Sequence, residues 1–132
     1  MGLKIECVVF DSSALLLIFK EGLRVIDQVI NIVESPIIPM IPYPIINELK
    51  KLSTIGRPGI TRAAEHALNY ALNNFSIVNV EGSPDDSVIE VARKYGCIAI
   101  SSDMKLLRRL KNANIRVIYL RVSSGRLEAD FR

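Results

Sequence analysis

Short apolar runs alternate along this chain with longer segments in which apolar residues recur every three or four positions. Leu3 to Phe10 is largely apolar, as a strand buried on both faces must be. Ser13 to Phe19 and Val25 to Val33 then follow helical spacing. Ile37 to Ile41 predicts a second strand, short or irregular because Pro39 lacks a ladder N–H. Tyr43 to Leu52 reads as a helix and Gly56-Arg57-Pro58-Gly59 as a turn. Thr61 to Phe75 is the longest helix, with Ala63, Ala64, Ala67, Leu68, Ala71 and Leu72 on its apolar face. Ile77 to Val80 is a third strand. Ser83, with Pro84 next and Asp86 three on, starts a helix that Val88 to Tyr95 continue until Gly96 ends it. Cys97 to Ile100 and Ile115 to Leu120 bring the strands to five, with a helix from Met104 to about Lys111 between them. Strands that alternate with helices predict a parallel sheet covered on both faces, an α/β fold of three layers, α/β/α.

At 132 residues, with 49% hydrophobic and 23% charged, the chain fills one domain over 1–132 and can bury a core without a structural metal. Cys7 and Cys97 sit in apolar stretches without CxxC spacing and read as buried, reduced thiols. With His66 the single histidine, a zinc site lacks ligands and any serine–histidine–acid site would depend on that one imidazole. Met1 to Glu6 carries Glu6 where a myristoylation signal needs Ser or Thr, so no targeting segment is expected. The most apolar uncharged stretch, Ser35 to Asn47, contains Pro36, Pro39, Pro42 and Pro44, which forbid a spanning helix, and a cytoplasmic location is expected.

Acids are the better carriers of chemistry. Ligands of a parallel α/β sheet gather outside the carboxyl ends of its strands. Asp11 directly follows the first strand and Asp103 the fourth; Asp86 lies in the first turn of the helix before the fourth strand, and Glu48 lies shortly past the second. Each has a plainer job: Asp11 and Asp103 as helix caps, Asp86 as the acid of a capping box, Glu48 on a solvated face beside Lys51. Taken together they form an acidic cluster whose mutual repulsion, roughly 3 kcal/mol per pair at 5 Å, a divalent cation would relieve. All-oxygen ligands select Mg²⁺ or Mn²⁺, and phosphodiester hydrolysis is the natural chemistry. The formal charge is 17 − 14 = +3, and setting those four acids aside leaves 10 acids against 17 bases, a basic surface around an acidic pit. Lys105, Arg108, Arg109 and Lys111 follow Asp103, while Lys50, Lys51, Arg57 and Arg62 flank Glu48. Few aromatics interleave with these bases, and Tyr43 is the best candidate for stacking on a nucleobase.

Four short motifs carry a family resemblance. Val9-Phe10-Asp11-Ser12-Ser13-Ala14-Leu15-Leu16, Ile45-Ile46-Asn47-Glu48-Leu49, Pro84-Asp85-Asp86-Ser87-Val88-Ile89 and Ile100-Ser101-Ser102-Asp103 resemble, in order and spacing, the motifs of PIN-domain ribonucleases. The resemblance implies a three-layer PIN-like domain with Asp11, Glu48, Asp86 and Asp103 as catalytic and metal-binding acids. Ser12 or Ser13 would support Asp11, and Ser101 would order the site. It implies a Mg²⁺- or Mn²⁺-dependent endoribonuclease on single-stranded RNA, with Lys50, Lys51, Arg57, Lys105, Arg108 and Arg109 on the RNA path. The pair Asp85-Asp86 followed by the run Ser101 to Leu110 and then Val117 to Arg121 is similar to ribosome-biogenesis PIN proteins, which implies precursor ribosomal RNA as substrate and a pre-ribosomal particle or another protein as partner, with a homodimer also open. A toxin ribonuclease of a toxin–antitoxin pair, or a catalytically weak binding scaffold, are the alternative readings. Many members carry a further acid two residues after the fourth; Lys105 stands there, which weakens the case for a second metal ion. Other folds fit less well. A haloacid-type phosphatase needs an acid at Ser13, a receiver domain needs an Asp after the third strand, and a Rossmann domain needs glycines that Asp11-Ser12-Ser13-Ala14 lacks.

Overall fold

The computed structural model describes residues 4–22 and 24–132, so the start of the first expected strand, at Leu3, lies outside it. In chain order the elements are β1 (Glu6–Phe10), α1 (Ser12–Glu21), α2 (Arg24–Val33), β2 (Ile37–Pro42), α3 (Tyr43–Leu52), α4 (Pro58–Asn74), β3 (Ser76–Val78), α5 (Pro84–Tyr95), β4 (Ile98–Ser101), α6 (Met104–Asn112), β5 (Val117–Ser123) and β6 (Arg126–Phe131). The sheet order is β3-β2-β1-β4-β5-β6. β1 and β4 are the central pair, parallel and in register from Val8↔Ile98 to Phe10↔Ile100. The chain winds from β1 out to β3 on one side, then restarts at β4 and winds out on the other. The strand order therefore reverses between β1 and β4, where such folds leave a crevice for ligands.

Both central strands are buried on both faces: Val8, Val9, Phe10, Ile98, Ala99 and Ile100 are all at most 1% exposed. α5 packs on β1 and β2 and α6 on β4 and β5; α1, α2 and α4 lie on the other side, where Phe75, just past α4, stacks on Phe10 with centroids 4.9 Å apart. α3 runs from the carboxyl end of β2 and packs on both α4 and α5, which sets its side chains beside the crevice. Pro39 is tolerated within β2 because β3 pairs only from Met40 onward, leaving Pro39 outside the ladder on that flank.

Two expectations are corrected. The sheet has six strands, not five, and the sixth runs antiparallel to β5. Ser124 and Gly125, both at positive φ (52° and 76°), make the two-residue turn that reverses the chain. The alternation in Arg126-Leu127-Glu128-Ala129-Asp130-Phe131 is the matching half-buried strand pattern. The cysteines are not free thiols: Cys7 and Cys97 form a disulfide. They are 90 residues apart in sequence, but each immediately precedes a residue of the Val8↔Ile98 register pair, which places their Cα atoms 4.8 Å apart. Among the described residues, no helix is long and apolar enough to cross a membrane.

A cross-link closing so long a loop stabilises by roughly 2–4 kcal/mol, chiefly by restricting the unfolded chain. Cys97→Ala is expected to lower the melting temperature by about 5–15 °C, and a reductant strong enough to open the bond should bring the wild type down to the variant. Two free thiols in unreduced, denatured protein would contradict the cross-link.

Candidate active site

Asp11 leaves the carboxyl end of β1 at the crevice and is 3% exposed. Its carboxylate starts α1 as the N-cap: Oδ1 accepts from the Ala14 N–H at 2.8 Å. The Ser13 hydroxyl donates to the two carboxylate oxygens at 2.9 and 2.8 Å, and the Ser101 hydroxyl, from the end of β4, donates to Oδ2 at 2.6 Å. Those serines also accept. Ser101 Oγ takes the Asp103 N–H at 2.9 Å and Ser13 Oγ takes the Ser102 N–H at 3.2 Å. The loops after β1 and β4 are thus laced together around one acid. Burial pushes the Asp11 carboxyl up from its ordinary 3.8 to about 6, against the opposing pull of the Ser101, Ala14 and Ser13 hydrogen bonds and with a further push from the charge of Asp85.

Asp103 caps α6, accepting through Oδ1 from Lys105 N–H at 2.9 Å and Leu106 N–H at 3.5 Å. Capping and membership of the acid cluster are therefore not exclusive: one oxygen serves the helix. Glu48 lies in the second turn of α3, where the buried Ile45, Ile46 and Leu49 fix the helix against the core. Its Oε1 is buried without a hydrogen-bond partner. An unpaired buried carboxylate oxygen is costly and unusual, and it marks a place where a cation or donor belongs. It lines a groove of about 500 Å³ between α3 and the approach to α5.

The third acid motif divides. Asp86 is exposed, and its Oδ1 accepts from Arg109 Nη2 at 2.6 Å across the α5–α6 boundary; this contact holds its carboxyl below the usual carboxylate range. Asp85 is the half-buried one. Burial and the charges of Asp103 and Asp86 push it up, against the pull of Arg109, and its own charge reaches Asp11. The inward acid is thus Asp85, which the sequence reading passed over. Its signal was present: Val88 and Ala92, buried on α5, stand three and seven residues after Asp85, whereas Asp86 shares its face with exposed Glu90 and Arg93.

Of the expected supporting residues, Ser13 and Ser101 bind Asp11, whereas Ser12 opens α1 with no such contact among the described hydrogen bonds. Lys50, Lys51, Arg57, Lys105 and Arg108 are exposed, and Arg109 is occupied by Asp86. Among the described residues, no three His, Cys, Asp or Glu side chains stand as a preformed metal cage. The donor set nevertheless suits a hard divalent cation by its chemistry: oxygens only, one of them buried and unpartnered on Glu48, with Asp11, Asp85 and Asp103 linked through their charges.

The raised Asp11 carboxyl has a consequence for stability. The folded protein holds this proton more tightly than the unfolded chain, so stability contributed by protonated Asp11 is full below about pH 4 and is lost as pH climbs through 6, by roughly 3 kcal/mol. Asp11→Asn cannot lose it. In EDTA, the stability difference between variant and wild type is expected to shift in the variant's favour between pH 4 and pH 7, measured by chemical denaturation. A pH-independent difference would contradict the burial argument.

The sequence matches the PIN like domain family over residues 8–123. It is 35% identical over 118 residues to Ribonuclease VapC9 of Archaeoglobus fulgidus, spanning 89% of this chain and 85% of that one. Its fold is similar to that of the PIN domain endonuclease Utp24, with TM-score 0.69 and 18% identity over 94% of this chain and 90% of the other. It is also similar to VapBC2 from Rickettsia felis, solved bound to a DNA fragment from their promoter, with TM-score 0.60 and 10% identity over 80% of this chain and 94% of that one. At such identities the structural likeness speaks for fold alone. The family match spans β1 to β5 and contains Asp11, Glu48, Asp85, Asp86 and Asp103, so the acid-lined crevice lies within it: this chain belongs to the PIN-like domain family.

Proposed function

We propose that this protein is a Mg²⁺- or Mn²⁺-dependent endoribonuclease that hydrolyses single-stranded RNA. The observation that carries the reading is the buried Asp11 carboxylate at the strand-order reversal, with the unpartnered Glu48 oxygen in the flanking groove. The identity shared with Ribonuclease VapC9 supports RNA as the substrate. In this reading Asp11, Glu48, Asp85 and Asp103 hold the cation, and Asp86, first expected among them, instead keeps Arg109 at the mouth. When bound, the cation would neutralise phosphate charge and lower the pKa of a coordinated water. Ser13 and Ser101 hold the Asp11 oxygens in place and keep them from rotating away. Lys50, Lys51, Arg57, Lys105 and Arg108, all exposed, draw the RNA backbone toward the crevice without reading its sequence. Hydrolysis by in-line attack of water leaves a 5′-phosphate and a 3′-hydroxyl.

Asp11→Asn, Glu48→Gln, Asp85→Asn and Asp103→Asn are each expected to lower cleavage of a single-stranded oligonucleotide by about 10²-fold or more. Asp86→Asn should cost less than about tenfold and act on KM. Millimolar Mn²⁺ should raise the melting temperature of the wild type but not of Asp11→Asn. Wild-type protein that binds RNA but never cuts it, with or without Mn²⁺, would support a binding scaffold instead.

Precursor ribosomal RNA is the substrate we propose, on the motif run Ser101 to Leu110. Mapping 5′-phosphate ends in cells with and without the active protein is the check. New ends concentrated in ribosomal precursors are expected, and ends concentrated in other RNAs would favour the toxin reading.

A further inference from the structure

On the reading that this site cuts single-stranded RNA, we propose that the groove beside Glu48 is a nucleobase subsite, which seats one base next to the scissile phosphate and reads it through Tyr43 and Asn47. The groove holds about 500 Å³ and is lined by Tyr43, Pro44, Asn47, Lys51, Val80 and Gly82 together with Glu48, Glu81 and Pro84. That size lies within the roughly 300–1,000 Å³ of pockets that take small organic groups. It adjoins the proposed cation site, because Glu48, assigned there as a ligand, lines it and Pro84 precedes Asp85 in the chain.

Its chemistry favours a base over a phosphate. Two carboxylates, Glu48 and Glu81, face one ammonium, Lys51, so an anion would be repelled where a neutral heterocycle is not. Tyr43 and Asn47 are four residues apart on one face of α3, and Lys50 is three further on. Side chains on a helix lean toward its N-terminus, and Lys50 reaches back so that its Nζ lies 5.9 Å from the Tyr43 ring centroid. Tyr43 nevertheless remains 42% exposed, an aromatic surface open to solvent at the edge of an acidic groove. Base–aromatic stacking is the interaction that such a ring offers a single strand, and the exposed Asn47 amide offers a donor and an acceptor to a base edge. Val80, Pro44 and the bare backbone of Gly82, at φ +112° where a side chain would be strained, add apolar wall to the groove.

The test is an abasic scan. A single-stranded oligonucleotide with one defined cut is made in a series, each member lacking the base at one position, and kcat/KM and equilibrium binding in EDTA are measured for wild type, Tyr43→Ala, Tyr43→Phe and Asn47→Ala. For the wild type, removal of one base adjacent to the cut is expected to weaken binding and lower kcat/KM by about tenfold, the usual scale of one stacked base. Tyr43→Ala should bind the intact strand about tenfold less well and lose the dependence on that base, Tyr43→Phe should retain it, and Asn47→Ala should change which base is preferred there. Cleavage by the wild type with equal tolerance of every abasic position, or a Tyr43→Ala variant that keeps the same position dependence, overturns the subsite and leaves the ribonuclease reading standing. A wild-type protein that neither binds nor cuts the intact strand overturns both.

Discussion

The molecule is organised around a carboxylate placed where water cannot solvate it. Asp11 ends the central strand, and its two oxygens are served by one backbone N–H and two serine hydroxyls. Those bonds oppose the burial without cancelling it, since the group remains raised to about 6. The arrangement fixes more than one side chain. Ser101 binds Asp11 and the Asp103 backbone together, and Ser13 binds Asp11 and the Ser102 backbone. The loops that close the crevice therefore have one common anchor. A neutral isostere at position 11 would relax the electrostatics and loosen the geometry, which is how a site residue differs from a structural one.

The basic residues divide by the acids they meet. Arg109 is held on Asp86 at the outer edge of α5, while Asp85 keeps its charge for the interior. Two adjacent acids on one helix turn thus take opposite roles, because about 100° of rotation per residue sends one toward Asp11 and Asp103 and the other toward solvent. The exposed pair contributes little to stability. Its contribution is to position a guanidinium next to a cluster of like charges, where a polyanion approaching that cluster would meet it.

Much of this was legible in the sequence, and the exceptions have physical causes. The spans of α3 and α5 follow from apolar spacing and from the Ser83 and Gly96 caps, whose geometry the structure bears out. Asp11 and Asp103 at strand ends could be read because burial on both faces makes β1 and β4 continuous apolar runs. β6 was missed because Leu127, Ala129 and Phe131 stand singly between charged residues, although the Ser124-Gly125 turn announced it. Asp86 was expected from the family motif, and it is the helical phase of Val88 and Ala92 that turns Asp85, the neighbouring acid, inward. The Cys7–Cys97 bond had no local signal at all: only the β1–β4 register, a tertiary fact, brings residues 90 apart into reach.

That same strand pair carries opposite loads at its two ends. At the carboxyl end, Asp11 is buried as a charged group at a cost of roughly 3 kcal/mol near neutral pH. At the amino end, the disulfide joins the residues just before Val8 and Ile98, and the Arg116 guanidinium forks onto the buried Glu6 carboxylate at 3.2 and 2.9 Å. Neither contact touches the crevice, so neither constrains what binds there. A cross-link that stabilises by roughly 2–4 kcal/mol is of the size needed to offset the buried acid. The fold can therefore keep an electrostatically unfavourable site at one end of β1 and β4 because the other end of the same two strands is fastened, and a cation entering the crevice would relieve a strain that the scaffold already bears.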